Sequence, residues 1–129
     1  MLVTDAGVWV RALVDEGPGG PVRIHLVAEP VVAAPALIDL EFTNVLRGLL
    51  TKGSIALRDA ELALAEFLQA PIQRYTHEPL VPRVWQLRDN LTAYDAAYVA
   101  LAEALGADLL SIDRRIAGAP GIRCRVIVV

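Results

Sequence analysis

One segment restricts the fold more than any other. From Ala96 to Ala102 the chain reads Ala-Ala-Tyr-Val-Ala-Leu-Ala, without a polar break. Thr92 is a natural helix cap and Gly106 a natural C-terminal stop, so a helix is expected over Ala93 to Leu105. A helix that is apolar all round must be buried between other layers. Its first turn nevertheless carries Asp95, which places a carboxylate at the end of a buried element.

The rest of the chain supplies the layers. Leu2-Val3-Thr4 reads as a short strand ended by Asp5-Ala6-Gly7, and Val8 to Val14 as a short helix closed by a Gly/Pro loop at residues 17–20. A second helix is expected over Pro21 to Ala28 and a buried strand over Val31 to Ala34. Leu37 to Lys52 has a wide apolar face and stops at Gly53; Leu57 to Leu68 is a further helix, broken by Pro71. Ile72 to Tyr75 reads as a strand, Leu80 to Leu87 as a helix, and Asp108 to Ile112 and Cys124 to Val129 as the last two strands. Strands alternating with helices over 129 residues predict one domain, residues 1–129. The expected fold is a three-layer α/β/α sandwich around a mostly parallel sheet of four or five strands.

Composition removes several function classes. Fifteen acidic residues face twelve Lys and Arg, so a general electrostatic grip on nucleic acid is not expected, although a local one is compatible. The lone Cys124 excludes an internal disulfide framework and reads as a small buried hydrophobe. No apolar run approaches the ~18 residues that span a bilayer, and no leader pattern is seen, so a cytoplasmic protein away from membranes is expected. The chain is 55% hydrophobic. A domain this small cannot bury all of that, so some apolar surface is expected to meet a partner.

In an open parallel sheet, sites form beyond the carboxyl ends of the strands. Asp5 ends the first strand and Asp113 follows the strand Asp108 to Ile112, so both fall on that edge. Glu41 lies one turn into the helix after the second strand, with Asn44 at i+3 as a neutral hydrogen-bond neighbour. Asp95 opens the apolar helix. Each acid alone also has a structural reading: Asp5 as a turn residue, Glu41 as a solvated helix position, Asp95 as part of a Thr92-x-x-Asp95 capping box, Asp113 as the cap of a turn at Arg114 to Ala117. Their convergence on one edge favours a shared role. Four carboxylates in one cleft repel one another, and a hard divalent cation, Mg²⁺ or Mn²⁺, relieves that repulsion through oxygen ligands. The chemistry such a cation supports beside phosphate is phosphodiester hydrolysis.

These segments resemble a PIN domain, specifically a ribonuclease toxin of the VapC type. The resemblance covers nearly the whole chain. It rests on Leu2-Val3-Thr4-Asp5, on Pro35 to Glu41 with Asn44 following, on Thr92-Ala93-Tyr94-Asp95-Ala96-Ala97-Tyr98, and on Gly106 to Arg115 with Asp113 inside it. It implies a metal-dependent endoribonuclease acting on RNA, with Asp5 and Asp95 as the main metal ligands and Glu41 and Asp113 completing the cluster directly or through water. Ser111 falls where the family has a supporting hydroxyl. The family often has a small hydroxyl residue two after the first Asp; here that position is Gly7, which leaves support of metal-bound water in question.

The resemblance also implies a homodimer and a cognate antitoxin protein that seats an amphipathic helix. Val22, Ile24, Leu26 and Val27, and the outer face carrying Leu46, Leu49 and Leu50, are the expected surfaces. Arg114 and Arg115 stand beside Asp113 as possible phosphate contacts. Packing is the preferred reading for Trp9 and Trp85, and His25 and His77 lack ligand spacing. Gly7 in place of Asp argues against a haloacid-dehalogenase-like phosphatase, the absence of a late strand-end lysine against a receiver domain, and the absence of a Gly-rich loop against a nucleotide-binding fold. The alternative from another class is a non-catalytic PIN-like binding module, which loss of an acid would signal; none is lost.

Overall fold

Every strand pairs with its neighbours in parallel. The computed structural model describes residues 1–129 and contains five strands: β1 (Leu2–Thr4), β2 (Val32–Pro35), β3 (Ile72–Tyr75), β4 (Asp108–Ser111) and β5 (Val126–Val128). Their order across the sheet is β3-β2-β1-β4-β5. Seven helices connect them: α1 (Ala6–Val10), α2 (Pro21–Ala28), α3 (Ile38–Thr51), α4 (Leu57–Gln69), α5 (Val81–Gln86), α6 (Ala93–Leu105) and α7 (Arg114–Ala117). The chain runs outward from β1 to β3, then returns to the other side of β1 for β4 and β5. That reversal between β1 and β4 is where a parallel sheet opens a crevice at its carboxyl edge. The register Leu2↔Asp108, Val3↔Leu109, Thr4↔Leu110 fixes which residues flank it.

The expected α/β/α sandwich is therefore present, with all four strand pairings parallel. Helix α6 lies against β1, β2 and β4 and is covered by α5, while α1, α3 and α4 pack on one another. Ala96 through Ala102 are all buried, as an all-apolar helix requires. Helix α3 buries Ile38, Phe42 and Leu46 at four-residue spacing. Phe42 stacks on Phe67 of α4 at 4.1 Å, and Trp9 of α1 meets Phe67 edge-on at 5.8 Å. The Trp9 indole N–H donates to the buried Thr4 hydroxyl at 2.8 Å, which satisfies the polar atoms of both.

The differences from expectation lie at element ends. The first helix starts at Ala6 rather than Val8, because Asp5 accepts the Val8 N–H and caps it; the helix continues through a wider π-turn over Arg11–Asp15. Strand β2 includes Pro35 as its last residue. A 3₁₀ turn, Glu78–Leu80, precedes α5. The last strand begins at Val126, leaving Cys124 half-buried outside it. Val22, Leu26 and Leu46, expected on partner surfaces, turn into the core; the outward apolar residues are Ile24, Val27, Leu40 and Val45. Trp85, expected to pack in the core or at an interface, lies outside the core at 66% exposed, and the Arg88 guanidinium lies 4.6 Å over its ring. No helix is long and apolar enough to cross a membrane.

One ion pair ties α5 to α6. Arg83 donates Nε to Glu103 Oε2 at 2.7 Å and Nη2 to Oε1 at 3.1 Å, and also reaches the Gly121 carbonyl at 2.7 Å. The Glu103 side chain is only 12% exposed. Its burial would raise the carboxyl, but the Arg83 bonds and the Arg123 N–H outweigh it and hold the pKa below the ordinary range. A lowered carboxyl adds stability above its unfolded pKa and loses it as pH falls through the folded value. Arg83→Ala should therefore cost about 2 kcal/mol at neutral pH in urea unfolding, with the deficit shrinking below pH 4.5.

Candidate active site

The carboxyl ends of β1 and β4 open onto a cleft of about 390 Å³ lined by Asp5, Glu41, Asp95, Asp113, Tyr98 and Arg114, with Gly7 and Ile112 in its wall. All four acids expected at this edge meet there. Asp5 follows β1, Glu41 comes from the first turn of α3, Asp95 from the first turn of α6, and Asp113 caps α7. Helix capping coexists with the shared cleft: Asp5, expected as a turn residue, caps α1 and Asp113 caps α7, while at α6 the Thr92 hydroxyl accepts the Asp95 N–H at 3.2 Å without a return bond from the Asp95 carboxylate.

Asp5 is fixed from two sides. Its Oδ1 accepts the Val8 N–H at 3.0 Å, and its Oδ2 accepts the Ser111 hydroxyl. Ser111 is fully buried and also accepts the Asp113 N–H at 2.9 Å, so one hydroxyl links two of the acids. Glu41 Oε1 accepts the Tyr98 hydroxyl. Tyr98 was not among the expected site residues; its signal is its place at i+3 from Asp95 as the one polar-tipped side chain in the buried run Ala96 to Ala102, where a buried phenol needs a partner. Asn44 does not join the cleft. It is exposed, makes no bond to Glu41, and lines a neighbouring groove. Arg114 lines the cleft, whereas Arg115 clamps Asp113 with Nη2 to Oδ2 at 2.8 Å and Nε to Oδ1 at 3.1 Å.

Burial pushes the Asp5 carboxyl above its ordinary range despite the Ser111 and Val8 bonds, and Asp95 and Asp113 add repulsion. Burial also raises Glu41 against the pull of Tyr98, with Asp95 and Asp5 adding to it. Asp95 is raised by burial and then by Asp113. Asp113 alone is lowered, by its bonds to Arg115. Three of the four acids are thus destabilised as anions.

A cation would relieve this, and the donor set fits a hard one: every available ligand is oxygen and none is sulfur or imidazole. No three of these groups converge as a ready-made ligand set; Asp5, Glu41 and Asp113 each accept a bond from a protein donor, Asp113 at both oxygens from Arg115. Gly7 has a local reason. A Cβ there would stand 2.7 Å from Cγ1 and Cδ1 of Ile112, so any side chain at this position would first have to displace Ile112.

The sequence pattern of the PIN domain matches residues 2–122. The chain belongs to the PIN-domain family. Within that family it is similar to Ribonuclease VapC1 of Mycobacterium tuberculosis, 41% identical over 125 residues that cover 96% of this chain and 94% of that one. Two solved structures share its fold. PAE2754 of Pyrobaculum aerophilum superposes with a TM-score of 0.75 at 20% identity, covering 97% of this chain and 81% of that one. A toxin–antitoxin complex from Klebsiella pneumoniae gives 0.65 at 19%, covering 99% and 97%.

Proposed function

We propose that this protein is the endoribonuclease toxin of a toxin–antitoxin pair, hydrolysing RNA phosphodiester bonds with Mg²⁺ or Mn²⁺. The observation that carries the reading is the cleft itself: four carboxylates with an arginine in the wall, at the crevice of a parallel sheet. The similarity to Ribonuclease VapC1 supports the same reaction class. Asp5 and Asp95 would hold the cation, with Glu41 and Asp113 completing the set directly or through water. When bound, the cation neutralises phosphate charge and lowers the pKa of water. Ser111 and the Val8 N–H keep the Asp5 carboxylate in place. Tyr98 occupies Glu41 Oε1, leaving Oε2 to take a proton from water. Arg114 receives a phosphate oxygen, and Arg115 exchanges Asp113 for the RNA backbone.

The test is cleavage of a mixed RNA pool by the purified chain. Fragments should appear with millimolar Mg²⁺ or Mn²⁺ and vanish with EDTA; an intact pool under every metal condition overturns the reading. A measurement of stability tests the metal separately. A carboxyl whose folded pKa is raised stabilises the fold below its unfolded value and withdraws that stability as pH rises through the folded one. The contribution of Asp5, Glu41 and Asp95 is thus lost upward from pH 3.8–4.5. In EDTA, the fall in melting temperature from pH 5 to pH 8 should be larger for wild type than for Asp95→Asn. A cation at 100-fold excess over its dissociation constant restores about 2.7 kcal/mol, and Asp95→Asn should respond less. Melting curves identical in EDTA and in millimolar Mn²⁺ would count against the cluster.

For the antitoxin, the fitting surface is an apolar cleft of about 440 Å³ between α2 and α4, floored by Trp9, Leu26 and Val32 and edged by the exposed Val27. An amphipathic partner helix would bury these residues. In the Klebsiella structure, a protein of this fold stands in a toxin–antitoxin complex. A homodimer formed through remaining apolar surface completes the proposed assembly.

A further inference from the structure

Beyond Glu41, the outer side of α3 and the first turn of α6 leave a second groove of about 510 Å³. Leu40, Glu41, Thr43, Asn44, Arg47 and Tyr94 line it, and Glu41 belongs to both cavities, so the groove continues the acidic cleft. Tyr94 is 67% exposed, and Leu40, the sole aliphatic side chain in the groove, 76%. The Tyr94 hydroxyl, the Asn44 amide and the Arg47 guanidinium have no partner in the chain. Asp39, the other acid in the first turn of α3, is already paired with Arg74 at 2.9 Å, and Thr43 donates to the Asp39 carbonyl. An unpaired guanidinium, a free amide and an exposed ring thus stand together beside the carboxylates, in a chain of net charge −3.

These are the groups that hold single-stranded nucleic acid. An aromatic face stacks on any base, a guanidinium pairs with phosphate, and an amide bonds a base edge. We propose that the groove is a nucleotide subsite for the RNA strand entering the acidic cleft: Tyr94 stacks on the base beside the scissile phosphate, Arg47 pairs with the flanking phosphate, and Asn44 bonds the base edge. The inference rests on the ribonuclease reading and adds where the strand is gripped. A second copy of the chain is the competing occupant, since Tyr and Arg are both favoured at chain–chain contacts; continuity with the acidic cleft through Glu41 favours the RNA strand.

The experiment uses a short single-stranded RNA carrying 2-aminopurine, bound to the full-length protein in EDTA so that it stays intact. Wild type should quench the fluorophore at one position. Tyr94→Ala should abolish that quench and weaken binding about ten-fold, while Tyr94→Phe and Tyr94→Trp retain both. Arg47→Ala should reduce the slope of log affinity against log salt by about 0.7. In cleavage assays, Tyr94→Ala should raise KM with little change in kcat. A quench that persists in Tyr94→Ala, or its absence in wild type, overturns the subsite. So does Tyr94→Ala binding RNA as wild type does while losing self-association in sedimentation, which would make the groove a contact between copies. If wild type cleaves no RNA yet shows the Tyr94-dependent quench, the subsite stands and the nuclease reading falls.

Discussion

Asp5→Asn should reduce RNA cleavage by more than two orders of magnitude while the protein melts at the wild-type temperature or above it. Losing a group that merely orients a metal ligand costs about 10–100-fold, so losing a ligand should cost more. The opposite effect on stability follows from the same carboxylate. Asp5 is buried, raised by that burial, and repelled by Asp95 and Asp113. Asn keeps an oxygen for the Val8 N–H and removes the charge. Circular dichroism on heating and a cleavage time course on the same preparation give both readouts. Wild-type cleavage by Asp5→Asn would remove Asp5 from the site, and a collapsed fold would make it structural.

Phe67→Ala should cost about 3–5 kcal/mol, a large share of the roughly 5–15 kcal/mol that holds a domain of this size. Phe67 is fully buried, stacked on Phe42, edge-on to Trp9, and overlain by the Arg74 guanidinium at 5.6 Å. Three helices meet through that ring, and the surrounding side chains cannot all collapse into its space. Phe67→Leu, which keeps much of the volume, should cost less than half as much. Equilibrium urea unfolding of the three proteins checks the order. If Phe67→Ala lost less than about 1 kcal/mol, α4 would not depend on this cluster for its place.

Much of this arrangement was legible because strong local signals agree with the tertiary need. Thr92 and Gly106 bracket α6 as expected, Pro21 opens α2, and the all-apolar stretch is buried. Parallel strands share one carboxyl edge, so Asp5 and Asp113, each following a strand, fall on that edge from the sequence alone. What remained illegible depends on rotation about an axis. Asn44 shares a helix side with Glu41 in spacing, yet it lines the groove beyond Glu41 and not the cleft among the four acids. Leu46 and Leu26 point inward where an outward face was expected, because amphipathic spacing gives the width of a stripe but not the direction it turns. The Tyr98–Glu41 bond spans 57 residues of sequence, a distance over which no pattern speaks.

The central strand of the sheet is the first one synthesised, and one of its two neighbours is the fourth. Leu2 pairs with Val32 on one side and with Asp108 on the other. A growing chain therefore presents β1 with one edge open until β4 has left the ribosome, and such distant pairings form late because a long loop must close first. Ser111, whose hydroxyl holds Asp5, arrives with β4, and Asp113 two residues later. A ribosome carrying an unfinished copy thus carries no assembled cleft, and translation itself sets the moment at which the carboxylates first meet.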